Sequence, residues 1–217
     1  MEDQTPGDEE EKSTLARKGE EALDKLYSTA LHGIPMVSCS VDDLVDDYLS
    51  KHDAIEEAAA ALVRAQVLKC GTSGFLTGIG GLITLPVMVP ANVSSVFYVQ
   101  MRMIAAIAAM GGYDVKSDQV KTLVYACLTG TSVADLLKEA GIKAGEQVVL
   151  SAIKRIPGAV LTKINQRIGF RFITKFGEKG VVNLGKCVPV VGAVIGGGVD
   201  VVSTRTIGKR AIAEFIS

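Results

Sequence analysis

The stretch GFLTGIGGLITLPVMVPANVSSVFYVQMRMIAAIAAMGGYD, residues 74–114, decides the fold of this chain. It lies within a region where 32 consecutive residues between Lys69 and Arg102 are uncharged, and residues 70–113 hold one charge in 44. Sequence this apolar has to leave water, either as the centre of a folded domain or as a membrane hairpin. Pro86 and Pro90 interrupt it, Gly74, Gly78, Gly80 and Gly81 loosen its front, and residues 91–110 read as a helix closed by Gly111 and Gly112. The expected unit is a helix, a proline-marked corner and a second helix. Its composition argues partly against spanning. The window 79–98 contains Thr84, Asn92, Ser94, Ser95 and both prolines, and the window 93–110 carries Arg102 near its middle. A central Arg costs about 2.5 to 3.5 kcal/mol on insertion scales. A buried core hairpin, a hairpin that docks on a membrane and inserts, and a constitutive span all stay open at this stage.

Arg102 needs a partner if its helix is buried. Asp200 interrupts the otherwise apolar run 187–202, so the two are expected to form a buried structural pair, with a solvent-facing Asp200 as the alternative. Tyr98 and Gln100 lie beside Arg102 in sequence and would supply the polar lining of a pocket if the hairpin enclosed one.

On either side of the hairpin the chain reads as helices. Residues 1–12 contain six acids, a Pro and a Gly and almost nothing apolar, the composition of a disordered tail. Helical spacing begins at Ser13 and stops at Gly33 and Pro35. Ser40 and Asp43 have capping-box spacing, and Asp53 opens an Ala-rich run over 54–69. Ser117 and Ser132 read as N-caps, Gly130 and Gly141 as helix ends, and a final helix is expected from about Pro189 to Phe215. Short β-branched runs are broken by Gly and Pro and do not alternate. The fold class is therefore all-α: a helical bundle around a Gly/Pro-interrupted apolar hairpin, with a disordered acidic tail over 1–12, acidic helices over 13–53 and the main helical domain over 54–217.

The net charge of −1 hides an asymmetry. Residues 1–66 hold 16 acids and 6 bases, and residues 67–217 hold 8 and 17. Residues 154–186 alone carry eight bases against Glu178. Among them Lys163, Arg167, Arg171 and Lys175 recur every fourth residue, with Ile164, Ile168, Phe172 and Phe176 recurring beside them. A basic ridge next to an apolar one can lie on an anionic lipid surface. Equally, the apolar ridge can face a bundle core and leave the basic one to water or to the acidic first 66 residues. Nucleic acid is not an expected partner, because aromatics are 5% and Trp is absent.

Nothing in the chain points to catalysis. GTSGFLTGIGG, residues 71–81, lacks the GK[ST] ending of a phosphate loop. GxSxG and HExxH do not occur, and His32 and His52 fall at helix ends. Cys39, Cys70, Cys127 and Cys187 are 31, 57 and 60 residues apart and read as buried, unpaired thiols rather than zinc ligands. No catalytic residue, cofactor or metal ion is expected. The first twelve residues lack the basic and apolar regions of a secretory signal, which gives a cytoplasmic expectation.

Residues 74–114, and KINQRIGFRFITKFGEKGVVNLGKCVPVVGAVIGGGVD over residues 163–200, resemble the EcsC protein family. The resemblance implies a bacterial protein from a family named after an operon with an ABC transporter. It has no established activity, so no catalytic residues carry over, and the likeness strengthens the case for membrane association. The expected function is a non-enzymatic, cytoplasmic helical protein, peripheral to the inner membrane and able to insert, that binds anionic lipid or a membrane protein complex through Lys163, Arg167, Arg171 and Lys175. The rivals are a lipid-active enzyme with a pocket at Tyr98 and Gln100, and a soluble helical interaction module.

Overall fold

The computed structural model of the protein describes residues 6–71, 91–132, 156–176 and 194–216. Seven helices fall within them: α1 (Pro6–His32), α2 (Val41–Leu49), α3 (Ile55–Gly71), α4 (Ala91–Met110), α5 (Asp118–Thr129), α6 (Gly158–Phe176) and α7 (Val194–Phe215). Among the described residues there is no strand, only an isolated bridge between Ile34 and Ser38. The fold is all-α, as the patterning requires.

Local chemistry sets the helix ends. α1 begins at Pro6, so residues 6–12 form its first turns, and the helix starts earlier than Ser13. Proline suits the first helical position, and Asp8, Glu9, Glu10 and Glu11 favour the positive end of the helix dipole, which low apolar content alone does not register. α1 stops at Gly33, whose φ of 78° is in the left-handed region. The capping box at Ser40 and Asp43 is formed in full, with the Ser40 hydroxyl accepting from the Asp43 amide and the Asp43 carboxylate accepting from the Ser40 amide. Ser117 caps α5, and Gly130 ends it with φ 72°. Ser132 and Gly141 were expected to bound a helix that lies outside the described residues. The last helix is described from Val194, beyond the expected Pro189 start.

α4, the second arm of the apolar hairpin, is the centre of the molecule. Every residue from Ser94 to Ala108 is buried, and α1, α2, α3, α5 and α7 all pack around it. A helix that is apolar on all sides is stable only when enclosed, and here protein does the enclosing. No helix among the described residues is long and apolar enough to cross a membrane. The first arm, from residue 72 to 90, lies outside the described residues.

Around α4, the helices α1 and α6 lie against each other, as do α3 and α7. Buried residues of α1 and α2, including Leu23, Leu26, Val41 and Leu44, belong to the same apolar cluster as those of α4 to α6. The acidic helices 13–53 are thus part of the main core and do not form a separate layer.

Glycine permits the closest of these contacts. A Cβ on Gly19 of α1 would stand 2.0 Å from the Gly169 carbonyl oxygen of α6, and one on Gly169 would stand 2.6 Å from the Glu20 amide nitrogen. Because the obstructing atoms are backbone, no side-chain rotation relieves the clash. Gly19→Ala is expected to destabilise the protein by about 3 kcal/mol in urea unfolding. Gly158→Ala, where a Cβ meets nothing within 4 Å, is expected to change stability by less than about 0.5 kcal/mol.

Candidate functional site

Tyr98 and Arg102 lie one turn apart on α4 and face the connector between α1 and α2. In that connector the chain reverses tightly. Ile34 and Ser38 exchange backbone hydrogen bonds of 3.2 and 2.9 Å, and the Ser38 hydroxyl accepts a second bond from the Ile34 amide at 2.9 Å. At the tip, Met36 adopts φ 64°, a left-handed conformation that costs a non-glycine residue about 1 kcal/mol. The reversal is pinned from α4. The Tyr98 hydroxyl is 2.5 Å from Ser38 Oγ. Arg102, 4% exposed, donates from Nη1 to the Cys39 carbonyl and, at 3.5 Å, to the Ala30 carbonyl. Its Nη2 reaches the Ser40 carbonyl at 3.2 Å and Cys39 Sγ at 3.1 Å. The Ala30 oxygen belongs to the last turn of α1, where the helix dipole favours a cation.

These contacts revise the partner expected for Arg102. Asp200 lies within α7, but its side chain is outside the described residues. The guanidinium is aimed at residues 30–40, whereas Gln100 of α4 faces α7. Gln100 Nε2 donates to Ser203 Oγ at 3.2 Å and to Thr204 Oγ1 at 3.0 Å. Two residues on a helix are about 200° apart, so Gln100 and Arg102 face opposite ways. Tyr98 and Arg102 come together, and Gln100 does not join them. The pocket that those three residues would have lined is not assembled.

Cys39 also departs from expectation. Cys70 and Cys127 are buried, and burial pushes the Cys127 thiol up to about 12. Cys39 is exposed, although both its carbonyl and its Sγ accept from Arg102. Cys187 lies outside the described residues. Lys69, near the end of α3, feels the same locus: packing around it, and then the charge of Arg102, hold its ammonium below the ordinary lysine range. Bonds from Ser40, and to a smaller extent the charge of Arg102, hold the Asp43 carboxyl below the usual carboxylate range. His32 and His52 each place Nδ1 on a carbonyl of the preceding turn, at 2.8 and 2.9 Å, as helix-end residues do.

The basic ridge is on α6. Lys163, Arg167 and Arg171 are exposed, while Ile164, Ile168 and Phe172 are buried, with the Phe172 ring 5.0 Å from that of Phe97 on α4. Asn165, also buried, accepts a hydrogen bond from Thr122 at 2.9 Å. Lys175 is in the last turn of α6, and its side chain is outside the described residues. The apolar ridge therefore faces the core, and the basic ridge is displayed on a helix held in place from behind. Salt bridges joining the acidic half to the basic half include Asp24 to Lys121 at 3.3 Å and Asp42 to Lys116 at 3.9 Å, neither base being on the ridge.

What these features define is an all-α bundle with a sealed central helix, a clamped surface reversal and a helix presenting a row of bases. The EcsC protein family matches residues 14–215, and the chain belongs to that family. The match takes in α1 and α2 as well as the region from residue 54, in agreement with the shared core. Comparison with curated proteins and with solved structures gives no match.

Of the surface features, the exposed tip and Cys39 carried no sequence signal beyond a turn between Gly33 and Ser40. Gly19 and Gly169 are 150 residues apart, and their pairing has no local signature. Arg102→Met is expected to cost about 2 kcal/mol, from lost charge-assisted bonds to the connector, and to speed amide exchange over residues 33–40. Tyr98→Phe is expected to cost about 1 kcal/mol with a smaller effect on exchange at the same amides.

Proposed function

We propose that the protein is a non-enzymatic, peripheral membrane-binding protein that docks on anionic lipid through the exposed bases of α6. The observation that carries this reading is the division of that helix. Its apolar side is committed to the core, its sequence contains no acidic residue, and Lys163, Arg167 and Arg171 are exposed at four-residue intervals. A fixed cationic row of this kind attracts an anionic surface at about 1 kcal/mol per near-surface base. It does so without the helix having to insert, because α6 has no spare apolar face to bury in lipid. Lys175 continues the row in sequence.

The rival enzymatic reading needs Tyr98, Gln100 and Arg102 to converge on a cavity. Their side chains divide between two faces of α4, and each is bound to its own neighbours. Reversible insertion of the whole hairpin would require α4 to leave a core in which it is enclosed on every side. Docking from the surface requires no such cost.

Flotation with vesicles checks the proposal. Binding is expected to an equal mixture of phosphatidylcholine and phosphatidylglycerol, not to phosphatidylcholine alone, and is expected to weaken as salt is raised. Replacing Lys163, Arg167 and Arg171 by Gln is expected to weaken partitioning by about 100-fold, since three lost contacts amount to about 3 kcal/mol. Equal binding to neutral and anionic vesicles would discard the electrostatic mechanism.

A further inference from the structure

Two amide side chains are enclosed between α3, α4 and α7. Gln66 of α3 is 1% exposed and Gln100 of α4 is 2% exposed. Long polar side chains are seldom buried this far unless their donors and acceptors are met. Gln100 meets half of that requirement: its Nε2 donates to Ser203 Oγ and Thr204 Oγ1 on α7. Its Oε1, and the Nε2 of Gln66, have no hydrogen-bond partner among the described residues. One atom is an acceptor and the other a donor, so the two deficits are complementary.

Packing brings them to one level of the bundle. On α3, Gln66 follows Val63 by three residues and precedes Cys70 by four, so the three share a face. Val63 and Met103 of α4 both border Gly208 of α7, at 2.7 and 3.3 Å from where its Cβ would stand. Cys70 accepts from Thr204 at 3.4 Å, and Thr204 accepts from Gln100. Two successive layers result, one of Val63, Met103 and Gly208, the other of Cys70, Gln100 and Thr204. Gln66 falls between them. Layers one helical turn apart are separated by about 5 Å, which puts Gln66 within a turn of Gln100 across the contact of α3 with α4. Two amides that are this close but not bonded to each other are within the span of one water, whose two hydrogen bonds reach about 5 Å.

We propose that a single water molecule is bound between Gln66 and Gln100, accepting from Gln66 Nε2 and donating to Gln100 Oε1. Water is the ligand because the site is polar at both ends, is enclosed by two buried side chains, and asks for one acceptor and one donor, which water supplies together. It completes a chain of hydrogen bonds from Gln66 through Gln100 and Thr204 to Cys70, which starts and ends on α3 and passes through α4 and α7. The α7 residues buried along this stretch, Thr204, Gly208 and Ala211, are small. Apolar bulk therefore does little to set how far along α3 the helix sits, and the completed polar chain fixes that register.

A high-resolution crystal structure of the unmodified protein is expected to show one ordered water within hydrogen-bond distance of both Gln66 Nε2 and Gln100 Oε1. A dry contact between the two amides, or amides turned to other protein groups, would overturn the site. In solution, Gln66→Met removes one end of the bridge at similar volume. Were the two atoms simply unpaired, this change would relieve a buried donor and raise the urea midpoint. With the water bound it is expected to lower the midpoint, with a roughly tenfold smaller folding constant, because Gln100 Oε1 loses its partner. Made in a Gln100→Met background, the same change is expected to leave the midpoint level or raised, since no amide is then left unmet. A rise in both backgrounds would overturn the proposal, and the crystal structure of the unmodified protein decides it even if a variant fails to fold.

Discussion

A guanidinium held inside the most apolar of the described helices is the constraint on which the rest of the molecule depends. Burying an ion costs several kcal/mol after relaxation, and that cost is offset only if its donors are met. Arg102 meets them with carbonyl oxygens of Ala30, Cys39 and Ser40 and with the Cys39 sulfur. These acceptors lie in the last turn of α1 and on the connector that follows it, so satisfying the cation also ties the reversal between α1 and α2 to α4. A charge in an otherwise neutral run thereby acts as a fastener between the core and a surface loop.

The opposite arrangement governs α6. There the charges face outward and the apolar residues do the fastening, through Phe172 on Phe97 and through the glycine-to-glycine contact with α1. The helix cannot roll its apolar side toward lipid without uncovering α1 and α4. Its bases can be approached only as they stand, which makes charge, not insertion, the chemistry that this helix offers.

The core also holds polar groups whose arrangement is less economical. Gln100 reaches Ser203 and Thr204 of α7, and Thr204 in turn reaches Cys70 of α3 at 3.4 Å, so α3, α4 and α7 meet along a polar seam. Gln66 Nε2 and Gln100 Oε1 find no partner there. Left unpaired, amide atoms weaken the seam relative to the apolar contacts around it. Beside this seam α7 comes so close to α3 that a Cβ on Gly208 would stand 2.7 Å from Val63 Cγ1.

How much of this could be read from residues in order follows from how local each cause is. Helix class, the capping box at Ser40, the left-handed stops at Gly33, Gly112 and Gly130 and the basic row on α6 are set by neighbours within a turn or two, and the sequence determined them; a long neutral run required that residues 94–108 leave water, but that protein encloses them was decided by the packing. The partners of Arg102, the parting of Gln100 from Tyr98, the contact of Gly19 with Gly169 and the exposure of Met36 and Cys39 depend on which helices pack together. Those outcomes were decided only by the tertiary structure, because a side chain's spacing gives the direction it points along its own helix but not what stands opposite.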